Sequence, residues 1–347
     1  MSSALSSSSA APPPDARRTA LAAWLGTLRP EYALRPGTLR PASADASFRR
    51  YFRVDAGDAS LIAMDAPPDK EDSRPFVHVA GLLRDAGLNA PQVLEADLAQ
   101  GFLLLTDLGT TTYLSALNED SASTLFDDAL DALVRWQLAS RPGVLPPYDD
   151  ALLRRELGLF PDWYLARHLG HALTERQSQQ LQRMFDRIVA SNLAQPTVYV
   201  HRDYMPRNLM VAAQNPGVLD FQDAVFGPIT YDVASLFRDA FISWEEARVV
   251  DWVVRYWQKA RRAGLPVDPD FGAFWRDFEW MGLQRHLKVL GIFARINYRD
   301  GNPHYLADTP RFVGYVRTVA RRYDELAPLA RLFDEFEGVA QRVGYTF

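Results

Sequence analysis

The chain has 347 residues, 48% hydrophobic and 12% aromatic, a composition that suits a globular protein long enough for two cores. Its net charge of −5 argues against a nucleic-acid polyanion as the main partner, and no apolar run approaches the ~20 residues of a bilayer-spanning helix. With no cysteine, disulfides, thiolate nucleophiles and cysteine-ligated zinc are excluded.

Residues 1–16 are rich in Ser, Ala and Pro, with no basic segment leading into an apolar one. A disordered tail is expected there, not a signal peptide, and the cytoplasm is the expected location. Leu21, Trp24, Leu25 and Leu28 stand at helical spacing and predict a helix over Arg17–Leu28. From Leu39 to Asp65 the pattern turns to short strands, at 51–55 and 60–66. A helix is expected at Pro75–Ala86, stopped by Gly87, then strands at Gln92–Ala96 and Gly101–Leu105. The character changes after Asp107–Gly109, so a hinge is expected between a small lobe, 17–106, and a helical lobe, 107–347. Helical spacing marks Ser123–Ala139, Asp150–Leu169, Thr174–Ser191, Tyr231–Trp244, Glu245–Ala263, Phe271–Phe293 and Pro310–Val343.

Between these helices lies VYVHRDYMPRNLMV (198–211), followed by GVLDFQDAVFGP (217–228). H-R-D-x-x-x-x-N followed by D-F-Q matches the base- and metal-bearing segments of a kinase-type phosphotransferase. Such chemistry needs a proton acceptor and cations on the phosphate oxygens. Asp203, after the apolar run TVYV, is the candidate base. Asn208 and Asp220 offer oxygen ligands of the kind Mg²⁺ prefers. A hairpin with strands Asn208–Val211 and Val218–Phe221 would carry those two to neighbouring positions. The alternative is that Asp203 and Asp220 are turn carboxylates satisfying local backbone N–H groups.

With HRDYMPRN, LDFQDAVFGPITYDVASL (219–236) and FLLLTDLG (102–109), the chain resembles the aminoglycoside phosphotransferase/choline kinase branch of the protein-kinase-like fold. More narrowly, HRDYMPRNLM, FQDAVFGPITYD, IAMDAPP (62–68) and LGLFPDWYLARHLG (157–170) are similar to the bacterial anomeric kinases for N-acetylmuramate and N-acetylglucosamine in cell-wall (peptidoglycan) recycling. The resemblance implies an α+β, bilobal fold with a small β-rich N-lobe and a large, mainly helical C-lobe. It implies ATP and Mg²⁺ as cofactors and an amino sugar as acceptor, with no nucleic acid, membrane or obligate protein partner. Carried over, it makes Asp203 the base and Asn208 and Asp220 the Mg²⁺ ligands, with Thr106, Asp107 and Leu108 presenting backbone to adenine. Asp232 would brace the catalytic loop; a helix N-cap is its other reading. Kinases for aminoglycosides, choline or homoserine, and a nucleotide-binding pseudokinase, are the rival functions.

Three departures stand out. Met64 occupies the position of the third-strand lysine, and Met205 a position that is often basic. No G-x-G-x-x-G covers the phosphates; the corresponding turn is SADASFRR (43–50). Arg49, Arg50 and Arg53 are the nearest cations for a triphosphate, or else solvated strand-face charges. For the acceptor, Glu156, Trp163, Tyr164, Gln222, Asp223 and Arg238 are candidates. Trp163 would stack on the sugar or fill the core. Arg238 would meet a lactyl carboxylate, or pair with Asp239 or Glu245. His168 and His171 have a spacing open to metal, without a third ligand, and His201 is expected to order the catalytic loop.

Overall fold

In the computed structural model, residues 15–42 and 48–336 are described. The chain divides into two compact units: Met1–Gly81 with Pro91–Leu108, and Leu82–Ala90 with Gly109–Phe347. Residues 1–14, 43–47 and 337–347, which hold most of the expected tail, most of the SADASFRR turn and the end of the last expected helix, lie outside the described residues.

The first unit is a five-stranded antiparallel sheet, β1 (Leu34–Pro41), β2 (Arg50–Ala56), β3 (Ala59–Asp65), β4 (Val93–Asp97) and β5 (Phe102–Thr106), in the order β1-β2-β3-β5-β4. Helix α1 (Ala16–Leu25) starts on Asp15, whose side chain accepts the N–H of Arg18. Its Leu21 and Leu25 are buried with Leu39, Phe52, Val54, Ala63, Phe102 and Leu104 of the sheet, so period-3.6 and period-2 apolar faces close one core. β1 begins five residues before the predicted strand region. Pro36, Gly37 and Pro41 obscure it in the sequence, but an edge strand tolerates missing N–H donors. At the β4–β5 turn Gly101 has φ 75, and a Cβ there would stand 1.8 Å from the carbonyl oxygen of Ala66, so only glycine fits. Met64 is fully buried, which accounts for an apolar side chain at that strand position. The division between the units falls within α2 (Arg74–Asp85).

The second unit is mainly helical: α3 (Tyr113–Ala116), α4 (Ala122–Leu138), α5 (Asp150–Leu159), α6 (Glu175–Leu193), α7 (Tyr231–Phe237), α8 (Glu246–Arg262), α9 (Phe271–Asp300), α10 (Thr309–Arg322) and α11 (Ala327–Phe336). Helix α9 is its centre. From Phe278 to Gly291 every residue is buried, against α5, α6, α7 and α10. Four short strands carry the motif region: β6 (Thr197–Val200) pairs with β9 (Val225–Pro228), and β7 (Leu209–Met210) with β8 (Gly217–Val218).

Several expected boundaries change. The helix expected to Leu169 continues beyond α5 as a π-helical stretch, Phe160–His168. The helix expected to Trp244 ends at Phe237, where buried Asp239 accepts the N–H of Ala240 and turns the chain. The last expected helix is broken by a 3₁₀ turn at Asp324–Leu326. Among the described residues no helix is long and apolar enough to cross a membrane.

Candidate active site

The HRD segment leaves β6 under constraint. Arg202 has φ 75, a left-handed conformation that costs a non-glycine residue about 1–2 kcal/mol. Asp232, fully buried on α7, holds it there. One carboxylate oxygen accepts the backbone N–H of His201 at 2.7 Å, and the other accepts that of Arg202 at 3.0 Å. The N-cap of α7 is Thr230, so Asp232 braces the loop and does not cap the helix. Burial raises the Asp232 pKa to about 7, against the opposing pull of those N–H groups. Burial likewise lowers His201 to about 4. Its ring is therefore neutral at physiological pH, and Nδ1 accepts the N–H of Asp203 at 3.3 Å.

The structure brings Asp203, Asn208, Asp220 and Gln222 together. Asn208 Nδ2 donates to the backbone oxygen of Asp203 at 2.9 Å and to Asp220 Oδ2 at 3.3 Å. Gln222 Nε2 donates to Asp220 Oδ1 at 2.9 Å. The β7–β8 hairpin sets this register, with strands shorter than expected; Leu219 N donates to Asn208 O at 2.9 Å. Asp220 has φ 62, a second left-handed residue in the same site. A carboxylate and a carboxamide side by side are hard oxygen donors, and Mg²⁺ takes few protein ligands because phosphates and waters complete its shell. The pair fits Mg²⁺. No cluster of three or more metal-binding side chains occurs among the described residues. His168 and His171 instead contact Tyr298 and Gln177.

Asp203 lines a cavity of about 290 Å³ within the second unit. Arg202, Met205, Arg207 and Asp223 join it from the motif segments, and Tyr231, Phe241 and Tyr305 from around them. Arg285, Lys288, Val289, Ile292, Phe293 and Ile296 line it from one face of α9. Behind it, Glu156 is shared by Arg202 at 2.6 Å and Lys288 at 3.1 Å, and it accepts from the Tyr148 hydroxyl. Burial pushes the Glu156 carboxyl up, but Lys288 and Arg202 outweigh it and hold the group below its usual range.

The other sequence candidates fall elsewhere. Trp163 and Tyr164 lie in the π-helical stretch, away from the cavity lining. Arg238 is 3.6 Å from Glu246, not paired with Asp239 or Glu245, and its guanidinium lies over the Tyr315 ring. In the first unit Arg49 pairs with Glu71 at 2.8 Å, Arg50 with Asp65 at 2.5 Å and also with Asp15, and Arg53 with Asp107 at 2.5 Å. Asp107 also accepts from Ser60, and the Thr106 hydroxyl accepts the N–H of Gln92. Leu108 closes that unit. Arg207, Arg285, Lys288, Tyr231 and Phe241 were not anticipated. For Arg285 and Lys288 the one legible signal was charge inside the apolar run WMGLQRHLKVLGIF (280–293); Arg207 and Tyr231 stand within the quoted motif segments, where nothing marked them apart.

Residues 38–270 match the phosphotransferase enzyme family. A Pseudomonas aeruginosa protein named N-acetylmuramate/N-acetylglucosamine kinase is 56% identical, the match covering 92% of this chain and 96% of that one. One of the same name from Neisseria meningitidis is 52% identical, covering 95% and 99%. Among solved structures, an ADP-bound aminoglycoside phosphotransferase aligns with a TM-score of 0.57 at 15% identity, covering 92% of this chain and 99% of that one. A choline/ethanolamine kinase family protein from Mesorhizobium loti aligns equally well at 14% identity, covering the same shares. These two share the protein-kinase-like fold that the sequence led us to expect. With a family match over most of its length and relatives more than half identical to it, the chain belongs to the phosphotransferase enzyme family.

Proposed function

We propose that the protein is an ATP-dependent sugar kinase that phosphorylates the anomeric hydroxyl of N-acetylmuramate and N-acetylglucosamine in the cytoplasm, as part of peptidoglycan recycling. The observation that carries this reading is the lining of the Asp203 cavity, in a chain more than half identical to kinases named for these sugars. Four cationic residues, Arg202, Arg207, Arg285 and Lys288, face two carboxylates, Asp203 and Asp223. Such a lining favours a neutral or anionic acceptor and repels a polyammonium aminoglycoside. The apolar wall from Val289 to Ile296 suits the acetyl methyl and the C–H faces of a sugar.

In this reading Asp203 takes the proton of the anomeric hydroxyl as that oxygen attacks the γ-phosphorus. The new O–P bond forms, the bond from γ-phosphorus to the bridging oxygen breaks, and ADP leaves. General-base help of this kind is worth about 10²–10⁴ in rate. Asn208 and Asp220 are the residues that would hold Mg²⁺, which when bound neutralises charge on the phosphate oxygens. Asp232 keeps the Asp203 loop in place, and neutral His201 orders it without transferring the proton. Residues 17–106 bind the nucleotide, with Arg49 and Arg50 toward the phosphates, and the hinge residues Thr106, Asp107 and Leu108 present backbone to adenine. Gln222 and Asp223 take part in acceptor binding. Glu156 acts through Arg202 and Lys288.

An ADP-release assay over a panel of acceptors tests the reading. With ATP and Mg²⁺, N-acetylmuramate and N-acetylglucosamine should be turned over well ahead of kanamycin, choline and homoserine. Preference for any of those three would contradict it, and ATP binding without transfer to any acceptor would make the protein a pseudokinase.

A further inference from the structure

At the cationic end of the cavity Arg285 is held differently from Lys288 and Arg202. Lys288 and Arg202 both lie against Glu156. Arg285 is buried, 3% exposed, and its hydrogen bond runs from Nη1 to the carbonyl oxygen of Arg238 at 3.3 Å. Asp232 and Asp239 are close enough to feel its charge, yet neither forms an ion pair with it among the described residues. Both oxygens of Asp232 are already committed to the backbone of His201 and Arg202. A guanidinium taken out of water without a carboxylate is costly, and it is retained where a ligand completes the pair. Arg285 also lines the cavity that Asp203 lines. Its planar fork of N–H donors matches a carboxylate two-point fashion, which a lysine does not.

We infer that Arg285 is the residue that recognises an acceptor carboxylate: it takes the lactyl carboxylate of N-acetylmuramate, the group that N-acetylglucosamine lacks. This assignment rests on the sugar-kinase reading above. Further along the same face of α9, Ile292, Phe293 and Ile296 carry nothing that separates the two sugars. The competing source of an anion at Arg285 is the phosphoryl group in transfer, which is common to both reactions.

The two sources separate in one experiment. kcat and KM are measured for both sugars with the unaltered protein, with Arg285→Met and with Arg285→Lys. The ratio of kcat/KM for N-acetylmuramate over N-acetylglucosamine should fall about 10- to 100-fold in Arg285→Met, chiefly through KM, with smaller loss in Arg285→Lys. A phosphate-binding role lowers both sugars together and leaves the ratio unchanged, which would overturn the assignment. Should the variants not fold, the methyl ester of N-acetylmuramate tests it from the substrate side. The unaltered protein should show a KM for the ester at least tenfold above that for the acid, and equal values would overturn the assignment. Failure of the unaltered protein to phosphorylate either sugar overturns the kinase reading and this assignment with it.

Discussion

The carboxylate of Asp232 lies 2.7 Å from the backbone nitrogen of His201, and its second oxygen holds the N–H of Arg202, the residue forced to positive φ just before Asp203. Asp232→Asn keeps the size but replaces one acceptor with an amide that faces an N–H group. Leaving a buried backbone N–H without its acceptor costs about 1–3 kcal/mol. The variant should therefore lose that much stability in denaturant unfolding and at least tenfold in kcat.

The same residue makes a pH prediction with two opposite signs. Its folded pKa is raised to about 7 from 3.8 by burial. Its contribution to stability is thus full below about pH 4 and is lost as pH rises through about 7. Loop geometry needs the ionised form, because both oxygens accept N–H groups. Activity should rise with pH through about 7, while stability falls between about pH 4 and 7 and levels off above it. An activity limb that persists unchanged in Asp232→Asn would assign it to another group.

Replacement at the reacting centre should separate proton acceptance from metal holding. Asp203→Ala should lower kcat by about 10²–10⁴ while circular dichroism is unchanged. Asp220→Ala, which removes the carboxylate beside Asn208, should raise the Mg²⁺ concentration needed for half-maximal activity in a metal titration. Near-normal kcat in the first, or an unaltered titration in the second, would remove these residues from the mechanism.

Glu156 carries two buried cations, so its loss is expected to act on stability. Glu156→Gln leaves Arg202 and Lys288 without their shared charge, a change worth about 3–5 kcal/mol. Its carboxyl is held below the usual range, so this stabilisation is present above the unfolded pKa of about 4.5 and fades as pH falls through the folded one. The difference in unfolding free energy between native protein and variant should accordingly be constant near neutrality and shrink in acid.

Gly291 sits where α9 meets the end of α5. A Cβ there would lie 2.4 Å from the carbonyl carbon and oxygen of Leu159. Backbone cannot yield as a side-chain end can, so Gly291→Ala should cost about 1–3 kcal/mol by overpacking. The helix it displaces carries Arg285 and Lys288, so KM for the acceptor should rise as well.

The site was legible where chemistry demands adjacent residue types. Asp203, Asn208 and Asp220 stand in two short segments, and the β7–β8 hairpin joins them as the spacing implied. The strands and helices of the first unit were legible where side-chain alternation was clean, and β1 was not, because Pro36 and Gly37 interrupt it. The α9 wall of the Asp203 cavity was hidden for a different reason. Arg285 and Lys288 are separated from the HRD segment by some 80 residues, and only the packing of α9 brings them to the same cavity. Trp163 and Arg238 are residue types suited to a sugar or its carboxylate, yet the π-helical stretch and Glu246 respectively hold them outside the lining of this cavity. Periodicity reports which face of a helix is buried; it does not report what that face will meet.

Transfer of phosphate to the anomeric oxygen at Asp203 is read out most directly by phosphorus NMR of the product. After incubation of the protein with ATP, Mg²⁺ and N-acetylmuramate, the new ester signal should couple to the C1 proton, and it should be absent with Asp203→Ala. A phosphate on the 6-hydroxyl, or a C1 phosphate made equally fast without the Asp203 carboxylate, would contradict Asp203-assisted transfer to the anomeric oxygen.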